Sequence, residues 1–281
     1  MILKIKQKLM HYSWDLAYGI YDEKITRDGL NGIKLNIVNN PYPNKWFADP
    51  FILEEDTNSI QLLVEEFDYS VGRGRIARIV INKGDNEIKK CSIILDLPTH
   101  LSFPAIYRVE GETFVHPENS ASGTSLIYRY DREADKLVDP KIMIDEPITD
   151  AIIMNDDGDY RMFATRVPES NGCTLHEYRS DNLWGPYEHV CEEIYDNNTA
   201  RMAGMFLHCK NELVRPAQDC YGDYGKAIIM YNDHKELCRI APQSYKYAGI
   251  HTFNTLANSF VIDMKKYDHP IIYKLIRKIK R

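Results

Sequence analysis

Apolar residues fall in short runs of strand length along most of this chain, and clusters of Gly, Asn and Asp separate them in pairs. One unit recurs: a polar or small residue at a sharp start, a short apolar strand, a turn, and a second apolar strand. It reads as "DPFILEEDTNSIQLLVEEF", "FPAIYRVEGETFVHPE", "DAIIMNDDGDYRMFAT", "AGMFLHCKNELVRPAQD" and "HTFNTLANSFVIDM". The starts lie near Asp49, Phe103, Asp150, Ala203 and His251, about 54, 47, 53 and 48 residues apart, a period of propeller blades rather than of helical repeats. Further short strands follow most hairpins, with "RIARIVI", "SLIYRY", "LHEYRS" and "KAIIMYN" after the first four, which approaches the roughly four strands per unit of a propeller blade. The fifth hairpin runs instead into a basic tail, and the N-terminal runs "LAYGIYD" and "GIKLNIV" supply its outer strands. The pattern therefore predicts an all-β chain: a five-bladed β-propeller over residues 1–262, closed by its N-terminal strands, with a short basic C-terminal tail at 263–281. A β-sandwich would turn every 8–12 residues or so without this longer period.

Length and composition agree with one large β domain: 281 residues, 44% hydrophobic and 27% charged, with 19 tyrosines that favour strands and ring-stacking surfaces. A net charge of −6 argues against general affinity for nucleic acid. The end of the chain departs from this balance. In "KKYDHPIIYKLIRKIKR", Lys265, Lys266, Lys274, Arg277, Lys278, Lys280 and Arg281 alternate with apolar residues, and the first residues, "MILKIKQKLMHYSW", are similar. As a helix this tail would rest on an anionic membrane surface; otherwise it is a solvated basic end. No apolar run is long enough to span a bilayer, and no cleavable signal is evident, so the expected location is cytoplasmic, peripheral to the inner membrane face. The six cysteines have neither C-x-x-C pairs nor metal-finger spacing and read as reduced thiols. "GRGR" at Gly72 to Arg75 lacks the strand–loop–helix setting of a nucleotide fingerprint.

A propeller brings the starts of its inner strands together at one mouth of the central channel, however far apart they lie in sequence. Asp49 and Asp150 occupy such positions. Two carboxylates across a cavity, one ionised and one protonated, can cleave or form a glycosidic bond, whereas a turn-capping role would need only each Asp's own backbone.

The motifs "ADP" (Ala48 to Pro50), "TDA" (Thr149 to Ala151) and "SDNLWGPYE" (Ser180 to Glu188) resemble those of the arabinanase, levansucrase and invertase propellers, glycoside hydrolase families 43 and 32 among them. The ordered run "WFADPF", "EEFDY", "GRIA", "LSFP", "HPENSASG", "FAT", "GPY", "RPAQD" and "HTFN" more closely resembles the propeller domain associated with glucosamine inositolphosphorylceramide transferases and bacterial surface-polysaccharide relatives, over roughly residues 40–260. The resemblance implies Asp49 as catalytic base and Asp150 as the residue that orients or tunes the acid. The acid of the hydrolases is a Glu in the fourth unit, where this chain reads "ARMAGMF", with Arg201 and Gly204. Glu118 is the first substitute expected, then Asp219. Glu65 and Glu66 must face opposite ways on a strand, and Glu66 is taken with the site.

The expected binding set is completed by Trp46 and Phe47 as ring platforms, by Arg75, Arg201 and Arg215 as anion grips, and by Asn119, Gln218 and Asn254 for sugar hydroxyls. His251 belongs with them. In the resembled hydrolases a central His helps hold calcium, but one His without a carboxylate cluster at ligand spacing is a poor metal signal, and no metal or cofactor is expected. The expected partner is a carbohydrate or a lipid- or nucleotide-linked sugar. Three functions remain open: making or remodelling glycosidic bonds in surface-polysaccharide or glycolipid assembly, inverting hydrolysis, and sugar binding without catalysis.

Overall fold

The computed structural model describes residues 11–209 and 212–269, and they form a five-bladed propeller. The chain opens with β1 (Tyr12–Ile20), a single helical turn at Ile25–Asp28 and β2 (Asn36–Ile37). Blade 1 is β3 (Lys45–Glu55), β4 (Ser59–Asp68), β5 (Arg73–Asn82) and β6 (Glu87–Leu95). Blade 2 is β7 (Ser102–Val109), β8 (Glu112–Glu118), β9 (Ser125–Asp131) and β10 (Lys136–Ile144). Blade 3 follows with β11 (Ile148–Asp156), β12 (Asp159–Arg166), β13 (Thr174–Ser180) and β14 (Glu188–Ile194). Blade 4 comprises β15 (Leu207–Cys209), β16 (Glu212–Asp219), β17 (Ala227–Asn232) and β18 (Lys235–Ile240). The last blade takes β19 (Phe253–Leu256) and β20 (Ser259–Tyr267) from the C-terminal side and β1 and β2 from the N-terminal side, in the order β19-β20-β1-β2.

That blade is the clasp expected from the sequence. β1 and β20 pair antiparallel from Tyr12↔Tyr267 to Ile20↔Ser259. Alternation buries Leu16 and Tyr18 of β1 against the aliphatic layer of blade 1, while Ala17 faces the layer shared with blade 4. Each large aliphatic side chain so buried contributes roughly 1.5–3 kcal/mol, so the clasp draws on the same layers that join neighbouring blades. The boundary placed at residue 262 falls inside β20, which also carries Lys265 and Lys266. Lys265 is buried there, its Nζ donating to Tyr224 O at 2.7 Å. The remainder of the basic tail, from residue 270, lies outside the described residues. Among the described residues no helix is long and apolar enough to cross a membrane.

The feature that shapes the mouth is a bulge repeated in the inner strands. In blade 1 the register jumps between Ala48 and Phe51, in blade 2 between Ser102 and Ala105, and in blade 3 between Thr149 and Ile152. Each jump places two residues opposite one, the geometry of a β-bulge that re-aims a side chain. The first residue of each has positive φ: Asp49 (50°), Phe103 (44°) and Asp150 (47°). Aspartate tolerates this region better than most residues; a phenylalanine there is an outlier. Phe103 is held by complete burial and by an edge-on contact with Phe51, centroids 5.0 Å apart.

Candidate functional site

The bulges and the closing blade meet in an axial pocket of about 320 Å³ lined by Asp49, Glu65, His100, Glu118, Arg201 and His251, with Trp14, Trp46, Phe67 and Tyr224 as aromatic walls. A larger depression of about 430 Å³ lies beside the helical turn, lined by Asp22, Glu23, Lys24 and Arg27. Its charged side chains are solvated. Of the two, it is the axial pocket that gathers buried carboxylates and imidazoles.

At its floor a chain of polar groups runs inward. Asp263, fully buried on β20, accepts from the backbone N–H groups of Asp49 (2.9 Å), His251 (3.1 Å) and Thr252 (3.0 Å), and its Oδ2 lies 2.7 Å from His251 Nδ1. Since Asp263 can only accept as a carboxylate, Nδ1 carries a proton, which turns Nε2 toward Asp49 Oδ1 at 3.4 Å. Trp14 stacks on the imidazole with centroids 3.9 Å apart and fixes its plane. Asp49 also accepts from Thr252 Oγ1 at 2.8 Å and from the Phe103 N–H at 3.2 Å, the latter an amide that the blade 2 bulge releases from its ladder.

Burial raises the Asp49 pKa, His251 lowers it, and Asp150, Glu65 and Asp263 raise it again, leaving it at about 7. Burial works against charge on His251, but Asp263 and Asp49 outweigh it and its pKa is raised. Each of the two side chains thus favours the charged form of the other, at a pocket wall.

A second imidazole faces the same mouth. His100 Nδ1 accepts the Gly74 N–H at 2.9 Å, so its proton sits on Nε2, 3.2 Å from Glu65 Oε1. Glu118 accepts from Ser102 Oγ (2.8 Å) and from the Ser120 N–H (2.9 Å).

Of the residues expected from the sequence, Trp46, Asp49, Glu118, Arg201 and His251 line this pocket together. Asp150 stands behind it. Both its oxygens are taken by Arg201, Nε to Oδ2 at 2.6 Å and Nη2 to Oδ1 at 3.1 Å, and Gln218 adds a 2.6 Å bond to Oδ2. Arg201 is therefore a counter-ion for Asp150, held also by Asn171 Oδ1 at 2.8 Å.

The others are placed elsewhere. Phe47 points into the aliphatic layer of blade 1, the opposite side from Trp46, as strand alternation requires. Glu66 is buried on that side too, clamped by Lys45 and Arg75, which removes both Glu66 and Arg75 from the pocket. Asn119 accepts from Thr99 Oγ1, and Asn254 supports the backbone at Pro50 O and Met205 N. Asp219 pairs with Arg239 and Lys226. Arg215 lies between Tyr195 and Tyr231, 4.0 and 5.1 Å from their ring centres, and donates to Ala200 O; it lines a different cavity.

Asp49, His251 and Asp263 offer ligand atoms within 4.8 Å of one another. They do not fit the calcium ion implied by the hydrolase resemblance. Calcium takes six to eight oxygens or so, whereas this set has two carboxylates already engaged by backbone and hydroxyl donors, and an imidazole that turns a protonated nitrogen to one of them.

These features define a five-bladed propeller with a carboxylate–histidine axial pocket. The fold is shared with a thermostable family-43 glycoside hydrolase (TM-score 0.52, 13% identity, 75% of this chain and 82% of that one) and with an exo-β-1,3-galactanase from Phanerochaete chrysosporium (TM-score 0.51, 10% identity, 67% and 48%). Residues 34–251 match the family described as glucosamine inositolphosphorylceramide transferase 1, N-terminal, and the chain belongs to that family. It is 30% identical over 203 residues to the glucosamine inositolphosphorylceramide transferase 1 of Oryza sativa subsp. japonica, and 28% identical over 203 residues to that of Arabidopsis thaliana. These matches cover 69% of this chain but only 27% and 26% of the plant proteins, so the chain spans about a quarter of their length.

Proposed function

We propose that this propeller is a carbohydrate-active unit of glycolipid or surface-polysaccharide assembly, which takes a phosphate-linked sugar in the axial pocket and uses Asp49 as base toward an acceptor hydroxyl. The observation that carries this reading is the Asp263–His251–Asp49 chain, which ends at the pocket wall in a carboxylate whose proton affinity is tuned to neutral pH. As the acceptor oxygen attacks the anomeric carbon, its proton passes to Asp49. The bond from that carbon to the phosphate oxygen breaks with its electron pair leaving on phosphate. Such a leaving group needs no proton, which suits a fourth blade that carries Arg201 where the resembled hydrolases have an acid, and a Glu118 whose two oxygens already accept hydrogen bonds. The plant relatives' name, a transferase to an inositolphosphorylceramide, and the basic C-terminal run favour a lipid-linked acceptor at the inner membrane face.

The test is incubation of the full chain with a panel of nucleotide sugars and an inositol phospholipid acceptor, scored for nucleotide release and glycolipid. The expected result is turnover that falls by roughly 10²–10⁴-fold in Asp49→Asn, the usual range for a lost general base. Wild-type turnover in that variant would sink the reading, and free sugar in place of glycolipid would make the chain a hydrolase. A binding module is the second reading, favoured by the neutralised Asp150 and the internal donors on both Asp49 oxygens. Saccharide binding by wild type and variant alike, without product, would establish it instead.

A further inference from the structure

On the outer two strands of blade 3, away from the axial pocket, three metal-ligating side chains meet on one face. His176 of β13 stands opposite Glu192 of β14 in the ladder. Strict alternation would put Val190 opposite Tyr178, with His189 on the other face. A bulge intervenes: the ladder passes from Glu177↔Cys191 directly to Tyr178↔His189, leaving Val190 unpaired and half-exposed. This extra residue brings His189 to the face of His176 and Glu192, the re-aiming that bulges perform.

The ligand atoms are His176 Nδ1, His189 Nε2 and Glu192 Oε1. Their separations are 3.4 Å between the two nitrogens, 3.2 Å from His176 to Glu192 and 3.9 Å from His189 to Glu192. A tetrahedral zinc ion bound at about 2.0–2.1 Å spaces neighbouring ligand atoms about 3.3–3.5 Å apart, so two of the three edges already stand within about 0.1 Å of that range. His189 and Glu192 are solvent-accessible and leave a route for an ion.

We propose that His176, His189 and Glu192 form a binding site for a divalent transition metal of the zinc class, with a fourth position open to water or to a partner's ligand. Two imidazoles and one carboxylate select for zinc, nickel or copper over magnesium and calcium, which prefer oxygen. The site is independent of the axial chemistry, since none of its three residues lines that pocket.

The test is titration of chelator-treated full-length protein with Zn²⁺ against a chromophoric competitor, followed by Co²⁺ absorption spectra. The variants are His189→Ala and Glu192→Gln, both surface changes that leave the buried His176 in place. Wild type should bind one equivalent at this site and give the intense visible bands of tetrahedral Co²⁺. Each variant should weaken binding by more than the roughly 10–100-fold that loss of an outer-sphere partner costs, and should lose those bands. Three results would overturn the proposal: no binding at millimolar Zn²⁺, wild-type affinity in both variants, or affinity that survives in them and disappears in His251→Ala.

Discussion

Arg201 stands where an acid was expected, and its partner is Asp150; removing the cation tests that assignment quantitatively. Arg201→Met keeps much of the side chain's length and apolar stem but deletes both contacts to Asp150, 2.6 and 3.1 Å, leaving a carboxylate that is 2% exposed with one neutral donor, Gln218. An uncompensated buried charge of this kind costs roughly 3–5 kcal/mol. Asp150→Asn alone strands the buried guanidinium and should cost a similar amount. The double variant Asp150→Asn/Arg201→Met holds no unpaired charge, and Gln218 retains an amide oxygen to donate to, so it should be more stable than either single variant. Urea denaturation of all four proteins at neutral pH measures this. Losses that simply add, or an Arg201→Met cost below about 1 kcal/mol, would refute the ion pair as the role of Arg201.

The Asp49 pKa predicts a pH dependence with a definite sign. Its folded value, about 7, lies above the ordinary 3.8, so the native chain holds an extra proton between those limits. The stability from that proton is full below about pH 4 and is lost as pH rises through 7. Asp49→Asn should therefore gain on wild type from pH 5 to pH 8 in denaturation midpoints, and a midpoint difference that stays constant or moves in favour of wild type would count against it. Gly204 has φ of 154°, and a Cβ there would sit 2.0 Å from Phe253 O; Gly204→Ala should cost at least the roughly 1–3 kcal/mol of an overpacked core site, read by thermal denaturation, and a neutral result would contradict the close approach. Trp46, stacked on Phe67 at 4.8 Å, offers the ring platform of the pocket. Trp46→Ala should weaken saccharide binding roughly 2–10-fold by calorimetry, the value of one aromatic contact, and unchanged affinity would remove it from the site.

The blades were legible because a propeller repeats: the spacing from Asp49 to His251 locates all five inner strands, and the lone fifth hairpin implies the N-terminal clasp. The same logic found Asp49 and Asp150, since each occupies the first position of its bulge. It did not find Asp263, Trp14 or Tyr224, which reach the axis from β20, from the clasp strand β1 and from the loop after β16, whereas the repeat singles out the starts of the inner strands. Side-chain facing was the other gap. Trp46 and Phe47, or Glu65 and Glu66, are adjacent, so only one of each pair can face the pocket, and the choice depends on where the bulge falls. Arg201 and Arg215 look alike in sequence, yet one meets a carboxylate from the next blade and the other is held between two tyrosine rings. Asp150 and Tyr195 come from outside blade 4 and Tyr231 is the cross-strand partner of Arg215 on β17, pairings that local spacing does not encode.

The measurement that bears most directly on the central claim is a crystal structure of the protein soaked with monosaccharides and nucleotide sugars. The account predicts a sugar ring against Trp46, with a substrate or acceptor hydroxyl about 2.6–3.2 Å from an Asp49 carboxylate oxygen. A sugar bound outside the axial pocket, or one kept from Asp49 by its bonds to Thr252 and Phe103, would contradict it.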